Sequence, residues 1–208
     1  MKAQTKSLIK SVVALSVISV VCVALLAVAN AFIPKYKPTL DIKTATLING
    51  IVPSGTDADT AFAEGYFEML ELDEKKLADF NKSNRSDANN AVLAVYKAVK
   101  GENEGVYIVE AQGQGYAGAI IMLTAVGEDG TIFGVELKSE SENSPGTNGI
   151  FTEPYFKAFQ EYVKGKTVLV DKDINAETKA TSMYSIGGVV KAVNLSVKAA
   201  EAVKGGSL

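Results

Sequence analysis

The longest apolar stretch of the chain, residues 11–34, contains no charged residue. At about 1.5 Å of rise per residue, a helix of this length crosses the roughly 30 Å of a bilayer's hydrocarbon core. Three lysines and no acidic residue precede the stretch, and basic residues favour the cytoplasmic side. We therefore predict a cytoplasmic N-terminus over 1–10, a single transmembrane helix over 11–34 in the cell membrane, and an extracytoplasmic domain beyond it.

The same stretch also fits a cleavable signal peptide. A basic region precedes it, and Ala29-Asn30-Ala31 forms an A-x-A cleavage site. However, the apolar part of a signal peptide usually spans about 7–15 residues, and this stretch is longer. The anchor is the preferred interpretation, and the domain that follows is exported under either one.

A linker and one short helix are predicted within residues 35–60. Pro34 and Pro38 interrupt any helical pattern at the start of this region, because proline lacks a backbone N–H and clashes with the preceding turn. Residues 41–52 then follow helical spacing until Pro53 ends it. The apolar positions of this helix are Ile42, Leu47, Ile48 and Ile51.

Residues 61–208 are predicted to form one domain built on an antiparallel sheet. Apolar runs over 91–99 and 106–110 predict two strands. The clearest pattern spans 113–140, where an Asp-Gly pair separates two apolar runs. Glycine accepts the positive φ of a tight turn without steric cost, so this pattern predicts a hairpin. A polar loop is expected over 81–90 and a short strand over 167–170.

Two helices are predicted in the last third of the chain. Thr152 can cap the first, with Pro154 in its first turn, and the helix then runs to about Lys164 and ends at Gly165. The second is predicted to start near Gly188, and its apolar positions are Val189, Val193, Val197, Ala200 and Val203. The predicted fold class is therefore α+β, with an antiparallel sheet flanked by helices after one transmembrane helix.

Composition removes several classes of chemistry. The chain has no histidine, which excludes a Ser-His-Asp triad, a His-ligated metal and a His general base. Its one cysteine is Cys22, in the apolar stretch. Because a disulfide needs two cysteines and a Cys-ligated iron–sulfur cluster needs several, neither can form within this chain. A net charge of −3 gives no basic face for nucleic acid. Any redox chemistry therefore needs an organic cofactor, and no free-standing catalysis is expected.

Three segments of the chain stand out in order: GQGYAGAIIMLTAVGEDGTIFGVEL, SENSPGTNG and NAETKATSMYSIGGVVKAVN. Together they resemble the FMN-binding domain of the G subunit of Rnf ion-translocating electron-transport complexes. More distantly, they resemble the C subunit of sodium-pumping NADH:quinone oxidoreductases. GQGYAGAIIMLTAVGEDGTIFGVEL is similar to the family's G-Y-x-G-x-I strand, D-G turn and G-V strand. SENSPGTNG is similar to its H-x-E-T-P-G-L-G loop. NAETKATSMYSIGGVVKAVN resembles S/T-G-A-T-Y-S-S-x-G-V/I, in which a threonine hydroxyl carries FMN through a phosphoester bond.

The third segment can be aligned with the family in two registers. Without a gap, Met183 stands at the attachment threonine, and a thioether has no hydroxyl to esterify. A two-residue insertion of Ser182 and Met183 instead places Thr181 there, and this register is favoured because it also matches Ala180 and keeps a hydroxyl at Thr178. Both registers keep the downstream matches Tyr184, Ser185, Gly188 and Val189.

The resemblance implies a flavin site made of this segment and the preceding loop. Thr181 is the favoured attachment residue, while Ser182 and Ser185 could hydrogen-bond a phosphate near the start of the last helix. The loop residues expected at the flavin are Pro145 and Gly146, and the expected contacts on the helix side are Tyr184 and Gly188. Noncovalent FMN stays open, because the hydroxyls near the start of the last helix could hold its phosphate. An absence of flavin also stays open, because Met183, Ser141 and Asn143 depart from the family's Thr, His and Glu.

The resemblance further implies a membrane-anchored subunit that passes electrons while its complex moves Na+ or H+. Its partners would be the membrane and the other subunits of an Rnf-type complex. Two alternatives remain open. One is a flavin-free structural paralogue that packs against the partner subunits, and the other is an exported, membrane-tethered binding module.

Overall fold

The structure is a computed structural model that describes residues 12–13, 15–26, 28, 38–141, 151–170 and 183–208, with only the backbone of Met183. The chain divides into two compact units, Met1–Lys37 and Pro38–Leu208.

The described residues of the first unit, 12–13, 15–26 and 28, are helical. Their apolar side chains are exposed. The hydroxyls of Ser16 and Ser19 donate to carbonyl oxygens one turn earlier, at 2.9 and 3.0 Å. Across the described ranges, no helix combines the length and the apolarity needed to span a bilayer. The other residues of the predicted span over 11–34 lie outside the described ones.

A five-stranded antiparallel sheet forms the centre of the second unit, with its strands in chain order. The strands are β1 Phe67–Met69, β2 Ala91–Ala98, β3 Tyr107–Gln114, β4 Ala119–Val126 and β5 Ile132–Glu140. The predicted antiparallel sheet is confirmed, including the hairpin of β4 and β5. Gly130 has a φ of 82° in the turn between these two strands, as a tight turn requires.

Five helices are described in this unit: α1 Ile42–Ile51, α2 Ala58–Ala63, α3 Glu74–Asn84, α4 Glu153–Val163 and α5 Met183–Lys204. The boundaries of α1 and α4 agree with the sequence pattern. Asp41 caps α1 by accepting the Thr44 N–H at 2.7 Å, and this hydrogen bond lowers the pKa of the Asp41 carboxyl.

The prediction of a polar loop over 81–90 was wrong at its start, because α3 continues to Asn84. The side chain of Asn81 explains the extension. It accepts the N–H of Val92 at 2.8 Å and donates to the Val92 carbonyl at 3.1 Å. The last turn of α3 is thereby tied to the first residues of β2, which a local sequence pattern does not reveal.

The predicted strand over 167–170 is not a strand in the structure. Its apolar Leu169 is buried, yet its backbone pairs with a side chain instead of a neighbouring strand. The Leu169 N–H donates to Asn194 Oδ1 at 2.8 Å, and Asn194 Nδ2 donates to the Leu169 carbonyl at 2.9 Å. The amide of Asn194 thus satisfies both backbone groups that a strand partner would satisfy.

Helices cover both faces of the sheet. On one face α5 packs across β2, β3 and β4, with Phe159 of α4 in the same core. On the other face α1 contacts β4 and β5, and Ile48 lies in a second core with Tyr96 and Leu123. Strand β4 is buried on both sides, which explains why its positions other than Thr124 are all apolar instead of alternating.

Candidate functional site

Helix α5 begins at Met183, before the predicted start near Gly188. The pair Gly187-Gly188 therefore lies inside the helix, although glycine weakens helices. Tertiary packing explains why the helix tolerates two glycines, because α5 is buried on most of its surface. Its exposed or partly exposed positions as far as Glu201 are Tyr184, Lys191, Asn194, Lys198 and Glu201, and their spacing makes one stripe along the helix.

Gly188 and Gly113 let α5 and β3 approach backbone to backbone. A Cβ on Gly188 would lie 2.4 Å from the carbonyl oxygen of Gln114. A Cβ on Gly113 would lie 1.9 Å from the carbonyl oxygen of Gly188. Both distances are far below contact distance, so only glycine fits at either position. The structure gives Gly188 a packing role, and its assignment as a cofactor contact stays a prediction.

The turn between β3 and β4 lies beside the first turn of α5. Within the turn, the N–H of Gly115 donates to the carbonyl of Gly118 at 2.8 Å. Tyr116 and Tyr184 are 73% and 74% exposed, and their ring centroids are 6.1 Å apart with an interplanar angle of 49°. Two large aromatic side chains therefore form an exposed pair, which we call the tyrosine pair.

The end of β5 reaches the same turn. A Cβ on Gly118 would lie 2.7 Å from the Cβ of Ser141, and the Ser141 N–H donates to the Ala119 carbonyl at 2.9 Å. Ser141 is the first residue of the loop segment SENSPGTNG. The three segments that resemble the family therefore meet here: the hairpin segment at its turn, the loop segment at Ser141, and the attachment segment at α5.

Asparagine and glutamine side chains hold the end of β3 in place. Buried Asn90 accepts the Gln114 N–H at 3.2 Å, and Asn89 Nδ2 donates to Gln114 Oε1 at 3.1 Å. Gln112 Nε2 donates to the Asn89 carbonyl at 2.9 Å. The sequence predicted this region only as a polar loop. Its signal was the Asn-rich run NKSNRSDANN followed by glutamines at alternate strand positions, but the pairing depends on the register of the sheet.

The one ion pair among the described residues lies on the sheet face opposite α5. Lys138 Nζ lies 2.8 Å from Glu110 Oε2, and Glu110 is fully buried. The Tyr96 hydroxyl donates to the same oxygen at 2.6 Å. Nearby on β5, burial raises the pKa of Glu136, whose carboxylate accepts a hydrogen bond from Gln160 at 3.1 Å. Within the described residues, no cluster of His, Cys, Asp and Glu could hold a metal ion.

The predicted site residues divide into two groups. Tyr184, Ser185 and Gly188 lie in the first two turns of α5; Tyr184 is exposed and Ser185 is buried. Met183 is the first residue of the helix. Four candidates lie outside the described residues: Thr181, Ser182, Pro145 and Gly146. The structure therefore does not distinguish the two registers of the attachment segment.

No family model matches the chain, but curated relatives do. The G subunit of the proton-translocating ferredoxin:NAD(+) oxidoreductase complex of Clostridium ljungdahlii is 29% identical over 120 residues, or 58% of this chain and 64% of the relative. The G subunit of the ion-translocating oxidoreductase complex of Cereibacter sphaeroides is 43% identical over 61 residues, or 29% of this chain and 27% of the relative. The chain spans less than two thirds of each relative. The predicted likeness to a G subunit is confirmed at this level.

Proposed function

We propose that this chain is an electron-carrying G-type subunit of an ion-translocating oxidoreductase complex, with FMN attached just before α5. The observation that carries the proposal is the meeting of the three family-like segments at one place. The first two are joined by β5, but the attachment segment is distant from both in sequence, yet Tyr116, Ser141 and Tyr184 all lie around the turn between β3 and β4.

The residues at this place suit a flavin nucleotide. Thr181 stands two residues before Met183, the first described residue of α5, and the N-terminal end of a helix favours an anion through its dipole. The tyrosine pair offers exposed aromatic surface beside this helix end, and aromatic rings pack well against a planar ring system. Bound there, FMN would supply the acceptance and release of electrons, while the protein would fix its position.

Residues 11–34 are the proposed membrane anchor. The apolar side chains of the described helical positions 12–13, 15–26 and 28 are exposed, as suits a surface in contact with lipid. The hydroxyls of Ser16 and Ser19 are satisfied by the backbone of the same helix, which removes the cost of placing them in hydrocarbon. Under this proposal the second unit lies outside the cytoplasm and meets the other subunits there.

Substitutions at 181 and 183 test which residue carries FMN. In the full chain produced in its native host, Thr181→Val keeps the side-chain shape but removes the hydroxyl, so we expect the denatured gel band to lose flavin fluorescence. Met183→Leu is the matched control and should keep it. Ultraviolet fluorescence of the gel bands, normalised to protein, measures both.

Fluorescence retained in Thr181→Val would contradict attachment at this residue. If the bands of both variants and of the unsubstituted chain are dark, covalent flavin is absent. The absorbance of the undenatured protein then separates noncovalent FMN from the flavin-free structural paralogue, since only the former is yellow.

A further inference from the structure

A concave site lies between the loop after α3 and the exposed stripe of α5. This cleft has a volume of about 300 Å³. Its charged lining residues are Arg85, Lys191 and Lys198, and its other polar ones are three asparagines and Ser86. None of its described lining residues is acidic.

The three cations are not neutralised by neighbours in the part of the chain that the structure describes, where the recorded ion pair is Lys138 with Glu110. Arg85 uses one guanidinium nitrogen on the Ala88 carbonyl, at 3.1 Å, and its remaining N–H groups can serve a ligand. Glu201 follows Lys198 on α5, but its carboxylate lies near the turn at Gly130.

The amide side chains of the cleft are already committed to holding its walls. Buried Asn90 donates to Ser86 Oγ at 3.1 Å and accepts from the Gln114 N–H at 3.2 Å. Asn194 binds both backbone groups of Leu169. The walls are therefore fixed by hydrogen bonds, while Lys191 and Lys198 make no ion pair within the described residues. Such preorganisation lowers the entropic cost of binding a ligand.

We propose that this cleft binds a phosphate group, carried by a small molecule or by a lipid headgroup. Guanidinium and ammonium groups form strong charge-assisted hydrogen bonds with phosphate oxygens, and the Ser86 hydroxyl can add one more. The volume suits a phosphate and the group attached to it, but not a large apolar ligand. Lys191 lies eight residues beyond Met183, or about 12 Å along the helix, so the proposal does not depend on flavin at the start of α5.

Calorimetric titration of the full chain in detergent with inorganic pyrophosphate tests the cleft. At low ionic strength, where screening is weak, we expect saturable binding with a Kd of about 1 mM or tighter. The double variant Lys191→Gln/Lys198→Gln should weaken it at least about tenfold, because both ammonium groups are lost. The double variant Lys75→Gln/Lys157→Gln removes the same charge from exposed positions outside the cleft and should bind like the unsubstituted chain.

The source of the phosphate is identified by a parallel titration with monomeric dihexanoyl phosphatidylglycerol. Tighter binding of this lipid than of pyrophosphate assigns a lipid headgroup, and the reverse order assigns a free phosphate compound. Absence of saturable binding of both probes overturns the proposal. An equal loss in the two double variants also overturns it, since that result means unspecific charge attraction. Thermal unfolding of each variant checks that the fold is intact.

Discussion

Gly188→Ala is expected to destabilise the folded domain by about 3 kcal/mol or more. The added methyl group would lie 2.4 Å from the carbonyl oxygen of Gln114 and 2.8 Å from its carbonyl carbon. Both atoms belong to the backbone of β3 and cannot turn aside as a flexible side chain can. The helix must therefore move away from the sheet, which opens the core between α5 and β3.

Urea unfolding of the full chain in detergent, followed by circular dichroism, measures this loss. Gly113→Ala should cost a similar amount, because its Cβ would meet the backbone of Gly188 from the opposite side. Gly50→Ala is the matched control. It also lies in a helix, and its Cβ would meet no atom of the described chain within 4 Å, so about 0.5–1 kcal/mol of added stability is expected. Equal midpoints for Gly188→Ala and Gly50→Ala would contradict the close approach.

Lys138→Met is the second substitution with a large expected effect. We expect it to lower the free energy of unfolding by about 3–5 kcal/mol. It removes the ammonium group 2.8 Å from the carboxylate of Glu110, whose side chain is fully buried. The hydroxyl of Tyr96 still donates to that carboxylate, but a neutral donor does not replace a cation. The cost arises because a buried carboxylate loses the positive charge of Lys138 beside it.

A double-mutant cycle separates this charge effect from a loss of packing. Glu110→Met/Lys138→Met removes both charges and should recover most of the stability lost in Lys138→Met alone. Lys157→Met is the control for replacing an exposed lysine on α4, and it should change the free energy of unfolding by less than about 0.5 kcal/mol. The cycle also includes Glu110→Met alone. If the stability losses of Glu110→Met and Lys138→Met simply add in the double variant, the ion pair does not explain the loss in Lys138→Met.

The elements that the sequence predicted well are those set by local chemistry. The β4–β5 hairpin follows from the Asp-Gly pair, because Gly130 supplies the positive φ of the turn. Helix α4 follows from Pro154 in its first turn and Gly165 after its end; Thr152 stands at the N-cap, but its side chain makes no capping hydrogen bond. In each case the deciding residues are neighbours in sequence.

The elements that the sequence did not predict correctly depend on partners that are distant in sequence. Leu169 and its apolar neighbours read as a strand, but the groups that satisfy its backbone are the amide of Asn194, 25 residues away. The start of α5 at Met183 contradicts local helix propensity at Gly187 and Gly188. Packing against β3 outweighs that propensity, and it also explains why glycine is present.

The candidate site shows the same division. The sequence identified Tyr184 and Ser185 through a resemblance. It did not predict that Tyr116 and Tyr184 would form a pair, because this needs the placement of α5 on the sheet. The sequence did not predict the cleft for the same reason, since Arg85 and Lys191 are about a hundred residues apart in the chain.

Intact-mass spectrometry under denaturing conditions, on the protein purified from its native host, tests the central claim most directly. A mass increase equal to one esterified FMN, together with a band that fluoresces on a denaturing gel, is the result that a flavin-carrying G-type subunit predicts. An unmodified mass with a dark band and a colourless native protein would contradict it, and would leave the fold as a structural component without flavin.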